Sequence, residues 1–220
     1  MKQFLLFTLS IVCISNATAQ RNKINVGVEG SASSIFLDYT DKDFFDRSIG
    51  YSAAGTIQYN FPRLFSIRTN VAYERKGATS EWPLYSNTNY DGRIEKMNFN
   101  FDYFSMPLLL RITLGNKIHC FANAGPFLGY LLKQEVRYTW AGEAKREDHT
   151  DSFNRLDAGI AAGAGLGFTA RKKFIFSLEV RHNGGLKDVL KNTAYPSDET
   201  LKTLSTNILI GICYKLGERE

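Results

Sequence analysis

The sequence predicts an all-β chain: an eight-stranded antiparallel up-and-down transmembrane β-barrel, with short periplasmic turns and long extracellular loops. Three observations predict it. Apolar and polar residues alternate with a period of two along most of the chain. The connections between alternating runs go long, short, long, short, which sorts loops by length onto the two rims, as a membrane barrel does. A secretory signal stands at the start. Lys2 is its positive end, Phe4–Ile14 its apolar core and Ala17-Thr18-Ala19 a small-x-small cleavage site.

The segments follow in order. Residues 1–19 read as the signal peptide, cleaved near Ala19, and residues 20–220 as one outer-membrane domain. The alternative, a retained N-terminal anchor, needs about 20 apolar residues and the run is shorter. Cys13 lies inside the apolar core after a branched residue, which is no lipoprotein acceptor pattern.

Ile24, Val26 and Val28 oppose Asn25, Gly27 and Glu29. Gly55, Ile57 and Tyr59 oppose Ala54, Thr56 and Gln58. Phe65, Ile67, Val71 and Tyr73 oppose Ser66, Arg68, Asn70, Ala72 and Glu74. Phe104, Met106, Leu108, Leu110 and Ile112 oppose Ser105, Pro107, Leu109 and Arg111. Ile118, Cys120, Ala122, Ala124 and Leu128 oppose His119, Phe121, Asn123 and Phe127. Pro107 and Pro126 each remove a ladder donor, so bulges are expected there.

In 156–168, alternate residues from Leu156 to Phe168 face outward, and Asp157, Gly159, Ala161, Gly163, Gly165 and Gly167 face inward. A row of glycines leaves room for large inward side chains from neighbouring strands. Gly163-Ala164-Gly165-Leu166-Gly167 lacks the lysine and following helix of a phosphate loop. Phe174, Phe176, Leu178 and Val180 oppose Ile175, Ser177, Glu179 and Arg181. Leu204, Ile208, Ile210, Ile212, Tyr214 and Leu216 oppose Ser205, Asn207, Gly211, Cys213 and Lys215. Strict alternation puts Cys213 inside and Cys120 on the lipid side, so no disulfide is expected.

The tight turns are residues 60–63, 114–117 and 169–172, and the long connections roughly 32–50, 77–98, 132–152 and 184–202. Tyr59, Phe61, Phe65 and Tyr214 are placed for one aromatic girdle, and Tyr51, Tyr73, Tyr103 and Tyr130 for the other.

Function is less legible. The inward faces carry Glu29, Arg68, Glu74, Arg111, Asp157, Glu179 and Arg181, read as a structural interior charge network. Eight strands leave a lumen that side chains fill, so these groups are expected to pair. The alternative is a narrow or gated ion pathway lined by charge. His119, His149 and His182 lie in separate segments without metal-ligand spacing, and Ser152 beside His149 and Asp151 is no catalytic motif. No catalytic, metal or cofactor residue is expected, and the chain is read as no enzyme. The net charge of +5 is spread without a basic-aromatic stripe, so no nucleic acid is expected. Arg171-Lys172-Lys173 reads as a solvated rim near anionic head groups. The loops at Asp38–Asp43 and Trp82–Asp91 mix acids, amides and aromatics suited to a sugar, a calcium ion or a protein, though Asp41-Lys42-Asp43 lacks the rest of an EF-hand.

Several runs resemble the PorT-like small outer-membrane β-barrel family, the outer membrane protein beta-barrel domain group. They are residues 72–78 (Ala-Tyr-Glu-Arg-Lys-Gly-Ala), 103–111, 123–132, 157–165 and 179–186. The order and spacing of these runs carry the resemblance over essentially the whole mature chain. The ending Leu216-Gly217-Glu218-Arg219-Glu220 departs from it, because such barrels often end on an aromatic. The resemblance implies the fold and an outer-membrane location, with outer-membrane lipid as partner. Three readings stand: a structural or surface-interaction role, an accessory of a secretion apparatus with other envelope or secretion proteins as partners, or, from the residues apart from the resemblance, a soluble lipocalin-like barrel. The last requires an apolar interior.

Overall fold

The computed structural model describes residues 24–39, 46–62, 64–86, 89–140, 143–191 and 201–216. The signal peptide, Asp41-Lys42-Asp43 and the residues after Leu216 lie outside them.

Among the described residues, nine antiparallel strands form one sheet that closes on itself. They are β1 Ile24–Tyr39, β2 Asp46–Asn60, β3 Phe65–Ser86, β4 Asn89–Gly115, β5 Ile118–Trp140, β6 Glu143–Asp148, β7 Leu156–Ala170, β8 Phe174–Gly185 and β9 Leu201–Leu216. The ladder of pairings runs β1–β2–β3–β4–β5–β7–β8–β9, and β9 returns to β1 from Ile24↔Leu216 to Tyr39↔Leu201. Among the described strands, β6 pairs only with β5.

Much of what sequence periodicity leaves as loop is strand. β3 and β4 continue as a paired hairpin as far as Ser86↔Asn89, and β5 runs on to Trp140. In these extensions the polar residues fall on both parities, which hides the period-two signal while backbone pairing continues.

The two faces follow parity. Val28, Leu108, Leu166 and Ile210 point outward, whereas Asn25, Gln58, Asn123 and Asn207 are buried inside. Cys213 is buried and Cys120 exposed, both as free thiols. The glycine row of β7 is roofed from β5. A Cβ on Gly159, Gly165 or Gly167 would lie within 2.6 Å of the side chain of Phe127, Phe121 or His119. Tyr103 departs from its expected girdle position. It has the inward parity opposite Phe104 and is fully buried.

Pro107 and Pro126 do not shift the register. Thr69↔Leu108 and Ala72↔Ser105 keep one stagger across Pro107, and Gly125↔Ala161 and Phe127↔Gly159 keep one across Pro126. The proline φ suits a strand, so each site loses a ladder bond without an inserted residue. The register shifts fall instead at Arg47/Tyr51, Pro83/Tyr85 and Asp102/Tyr103. Beside Pro107, Gly125 lets β5 approach β4 closely, since a Cβ there would stand 2.0 Å from the Leu108 carbonyl oxygen.

The tight turns differ in strain. Gly115 takes φ +104° at no steric cost. In the β7–β8 turn, Arg171 and Lys172 take φ 46° and 58°, and the Lys173 amide donates to the Ala170 carbonyl at 3.2 Å. Two positive φ values in a two-residue turn are the geometry that Asn-Gly prefers. The double substitution Arg171→Asn/Lys172→Gly is expected to stabilise the fold by about 1–2 kcal/mol, read as a higher urea midpoint at unchanged slope.

Candidate functional site: the barrel interior

The interior is layered from the short-turn rim to the long-hairpin rim. Nearest the short turns is a chamber of about 410 Å³, lined among others by Asn60, Phe61, Asn116, Thr169, Arg68 and Arg111.

Above it lies a layer of five charged groups. Arg68 donates to Glu29, which also accepts from the Asn70 amide. Arg111 Nη2 meets Glu179 at 2.8 Å and Arg181 Nε meets it at 2.6 Å. Arg181 Nη1 stands 3.8 Å from Glu29, linking the two carboxylates. Amides complete the layer. Asn123 donates to Glu179 at 3.2 Å, and Gln58 Oε1 accepts from Arg68 and Arg111 at 3.5 and 3.4 Å. The Arg111 guanidinium also stacks over the Phe121 ring at 3.8 Å. The space left above this layer is about 30 Å³, bordered by Glu29, Glu74, Phe127 and Arg181.

A second charged cluster follows. Lys76 Nζ lies 3.9 Å from Glu74 and 3.8 Å from Asp157, and Asp157 accepts from Thr203 Oγ1 at 2.7 Å. The ammonium sits over the rings of Tyr103 and Phe127, at 4.9 and 5.7 Å. Such faces attract a desolvated cation.

A hydrophobic cap closes the long-hairpin end. Ala78, Phe101, Tyr103, Leu131, Val189, Leu190 and Leu201 pack together, with Phe153 edge-on to Phe101 at 5.2 Å. The segment after β8 is pinned to the ends of the two strands that flank β8, β7 and β9. Asn154 donates to the carbonyls of Asp188 and Leu190 at 3.1 and 2.7 Å, and Asp188 accepts from the amides of Leu190 and Leu201 at 3.0 Å.

The seven inward charges named from sequence are therefore all buried, in two groups: Glu29, Arg68, Arg111, Glu179 and Arg181 in one, Glu74 and Asp157 in the other. The cation joining the second group, Lys76, escaped sequence reasoning. Its parity with Arg68 and Glu74 was the available signal, hidden because the strand was expected to end just before Gly77. The cap escaped too, since Val189 and Leu190 lie in a polar stretch without periodicity.

The three histidines stay apart. His119 lines the chamber, His149 Nε2 meets Glu147 at 3.2 Å, and His182 points outward to Thr206 at 3.1 Å. Asp151 accepts from Arg155, and the Ser152 amide donates to the His149 carbonyl, so these neighbours do not form a proton relay. Among the described residues, no group of three His, Cys, Asp or Glu side chains is placed to hold a metal ion.

Beyond the apolar outer band, Glu135 accepts from Lys133 at 2.8 Å and from Arg137. These two cations hold its carboxyl down at about 2. A depressed carboxyl pKa adds stability above the unfolded value of about 4.3, and that stability is lost as pH falls from there to about 2. Glu135→Gln is expected to flatten the fall of the thermal midpoint across that window relative to wild type.

The model of the outer membrane protein beta-barrel domain matches residues 16–191. None of the curated proteins matches the chain in sequence. Among solved structures, the outer membrane protein OprG from Pseudomonas aeruginosa is similar in fold. It has 11% identity and a TM-score of 0.50, and the match covers 91% of this chain and 99% of OprG. Neisserial surface protein A has 12% identity and a TM-score of 0.48, covering 87% of this chain and 97% of its own. Ail, the attachment invasion locus protein of Yersinia pestis, solved with the heparin analogue sucrose octasulfate, has 12% identity and a TM-score of 0.42 over 88% and 99%.

Proposed function

The chain belongs to the outer membrane protein beta-barrel domain family, and from that premise we propose that it is an integral barrel of eight membrane-crossing strands with a closed lumen and a structural or surface-interaction role. The ring of β1–β5 and β7–β9 crosses the bilayer. The hairpins, with β6 on β5, stand outside the cell, and the short turns and both termini are periplasmic. Residues 1–19 act as the export signal and are removed near Ala19. The PorT-like branch is our narrower reading, resting on the residue runs quoted above.

The observation that carries this reading is an inversion of burial. Arg68, Glu179 and Asp157 are 2%, 3% and 0% exposed, while Leu108, Leu166 and Ile210 are 55%, 59% and 68% exposed. A ring with charge inside and an apolar outer face matches lipid as its solvent. The same inversion speaks against a lipocalin-like ligand barrel, whose interior is apolar.

The interior charge network serves as a structural plug. The ion-pair layer and the cap of Val189 and Leu190 lie in series along the lumen. Planar-bilayer recording of the purified, folded protein is expected to give no steady, large conductance. Such channels would overturn the plug and move the function to a porin.

Orientation has its own test. In a Cys120→Ala background, Lys145→Cys on exposed β6 is expected to react with a membrane-impermeant maleimide on intact cells. Lys172→Cys is expected to react only after permeabilisation. The reverse pattern would invert the barrel. Recovery of the mature chain from the soluble periplasmic fraction would remove it from the membrane altogether.

A further inference from the structure

The chamber at the short-turn end has features that the plug does not require. Its lining includes Arg68, Arg111 and Lys215 and no carboxylate among the described residues. The two guanidiniums send their Nη groups up to Glu29 and Glu179, yet Nε of Arg68 and Nε of Arg111 are buried without a hydrogen-bond partner. Two further lining atoms, Ser66 Oγ and Asn25 Oδ1, are buried and unpartnered as well. All four residues are more than nine-tenths buried. An unmade bond at a buried polar group is costly, more so at a charged one. Two guanidinium N–H groups and a hydroxyl are donors without partners in the wall of one space, each turned to face it by a change of rotamer, while Asn25 Oδ1 is an unmet acceptor.

The charge balance points the same way. The layer above the chamber holds Arg68, Arg111 and Arg181 against Glu29 and Glu179, a surplus of one cation. The compensating surplus of one anion, from Glu74 and Asp157 around Lys76, sits on the far side of that layer from the chamber, where Glu74 borders the same small space as Arg181. An anion in the chamber would neutralise the nearer imbalance.

We propose that this chamber is a binding site for a small solute carrying an oxyanion, of the phosphate, sulfate or carboxylate class. A volume of about 410 Å³ exceeds a bare phosphate and lies in the range of small-molecule sites. The site reaches the rim through Asn116 and Phe61, so the solute enters from the short-turn side. The strand ring separates the chamber from the bilayer, which favours a free solute over a lipid head group. The lining stands independently of whether the long hairpins act in surface interactions.

The test uses the full mature chain folded in an uncharged detergent, with inorganic phosphate and sulfate as probes. At fixed ionic strength, both are expected to raise the thermal midpoint saturably while chloride does not. Calorimetric titration with phosphate supplies the affinity. Ser66→Leu removes a donor and projects apolar bulk from the chamber wall without removing a charge, and is expected to weaken phosphate at least about tenfold. Lys215→Gln, at the half-buried rim, is expected to weaken it about two- to fivefold and to reduce its salt dependence. Either variant must keep heat-modifiable gel migration, which reports the barrel separately. An equal response to chloride, the absence of a shift in wild type, or an unchanged affinity in folded Ser66→Leu would each overturn the proposal.

Discussion

Glu179→Ala is expected to lower folding stability by about 3–5 kcal/mol, the cost of leaving buried charge uncompensated. Glu179 is the hinge of the ion-pair layer, accepting from Arg111, Arg181 and Asn123 together. Removing it strands two guanidiniums in a layer already rich in cations. Arg111→Met is expected to cost less. Arg181 still satisfies Glu179, the cation surplus disappears, and the methionine keeps contact with Phe121. The check is equilibrium urea unfolding in detergent, followed by tyrosine and tryptophan fluorescence. Neither variant should open a large pore, because the hydrophobic cap remains. A loss below about 1 kcal/mol for Glu179→Ala, or a larger loss for Arg111→Met, would mean that the layer is not a coupled network.

Ile210→Arg is expected to cost about 2–4 kcal/mol, the penalty for arginine on the lipid face near the bilayer midplane. Ile210 stands in the middle of the outward row Ile208, Ile210, Ile212 and Tyr214, flanked by Leu178 on β8 and Gly30 on β1. The assay is the fraction of folded, heat-modifiable protein after assembly into vesicles, together with urea unfolding there. Ile210→Val is the control and is expected to stay within about 1 kcal/mol. Asn207, on the opposite parity of the same strand, makes a poor control. It is buried beside the Arg181 carbonyl and Ser205, so an added arginine there meets a filled, cation-bearing interior. Equal folding of Ile210→Arg and Ile210→Val would mean that β9 turns its apolar face away from lipid.

The inward and outward faces were legible in the residues alone because alternation is a local property. A strand's two faces are set by its own pleat, whatever it pairs with. Phe174–Arg181 and Leu204–Leu216 declare their faces without reference to any neighbour, and the row Gly159, Gly163, Gly165 and Gly167 declares a space to be filled. The same locality made Glu29, Arg68, Arg111 and Glu179 visible as inward charges.

Which charge meets which was decided only by the tertiary structure. Arg111 and Glu179 are far apart in sequence and sit on non-adjacent strands, β4 and β8, so they meet across the lumen through the closure of β1 on β9 and the stagger of the whole ladder. Closure also folded Val189 and Leu190 inward as a cap and brought Tyr103, inward by its own parity, against Lys76. It carried β3 and β4 past the end of their periodic signal, since backbone pairing needs no apolar face. A residue's own sequence neighbourhood sets the direction of its side chain. The depth at which that side chain sits in the barrel, and so its partner, depends on register summed around a closed ring.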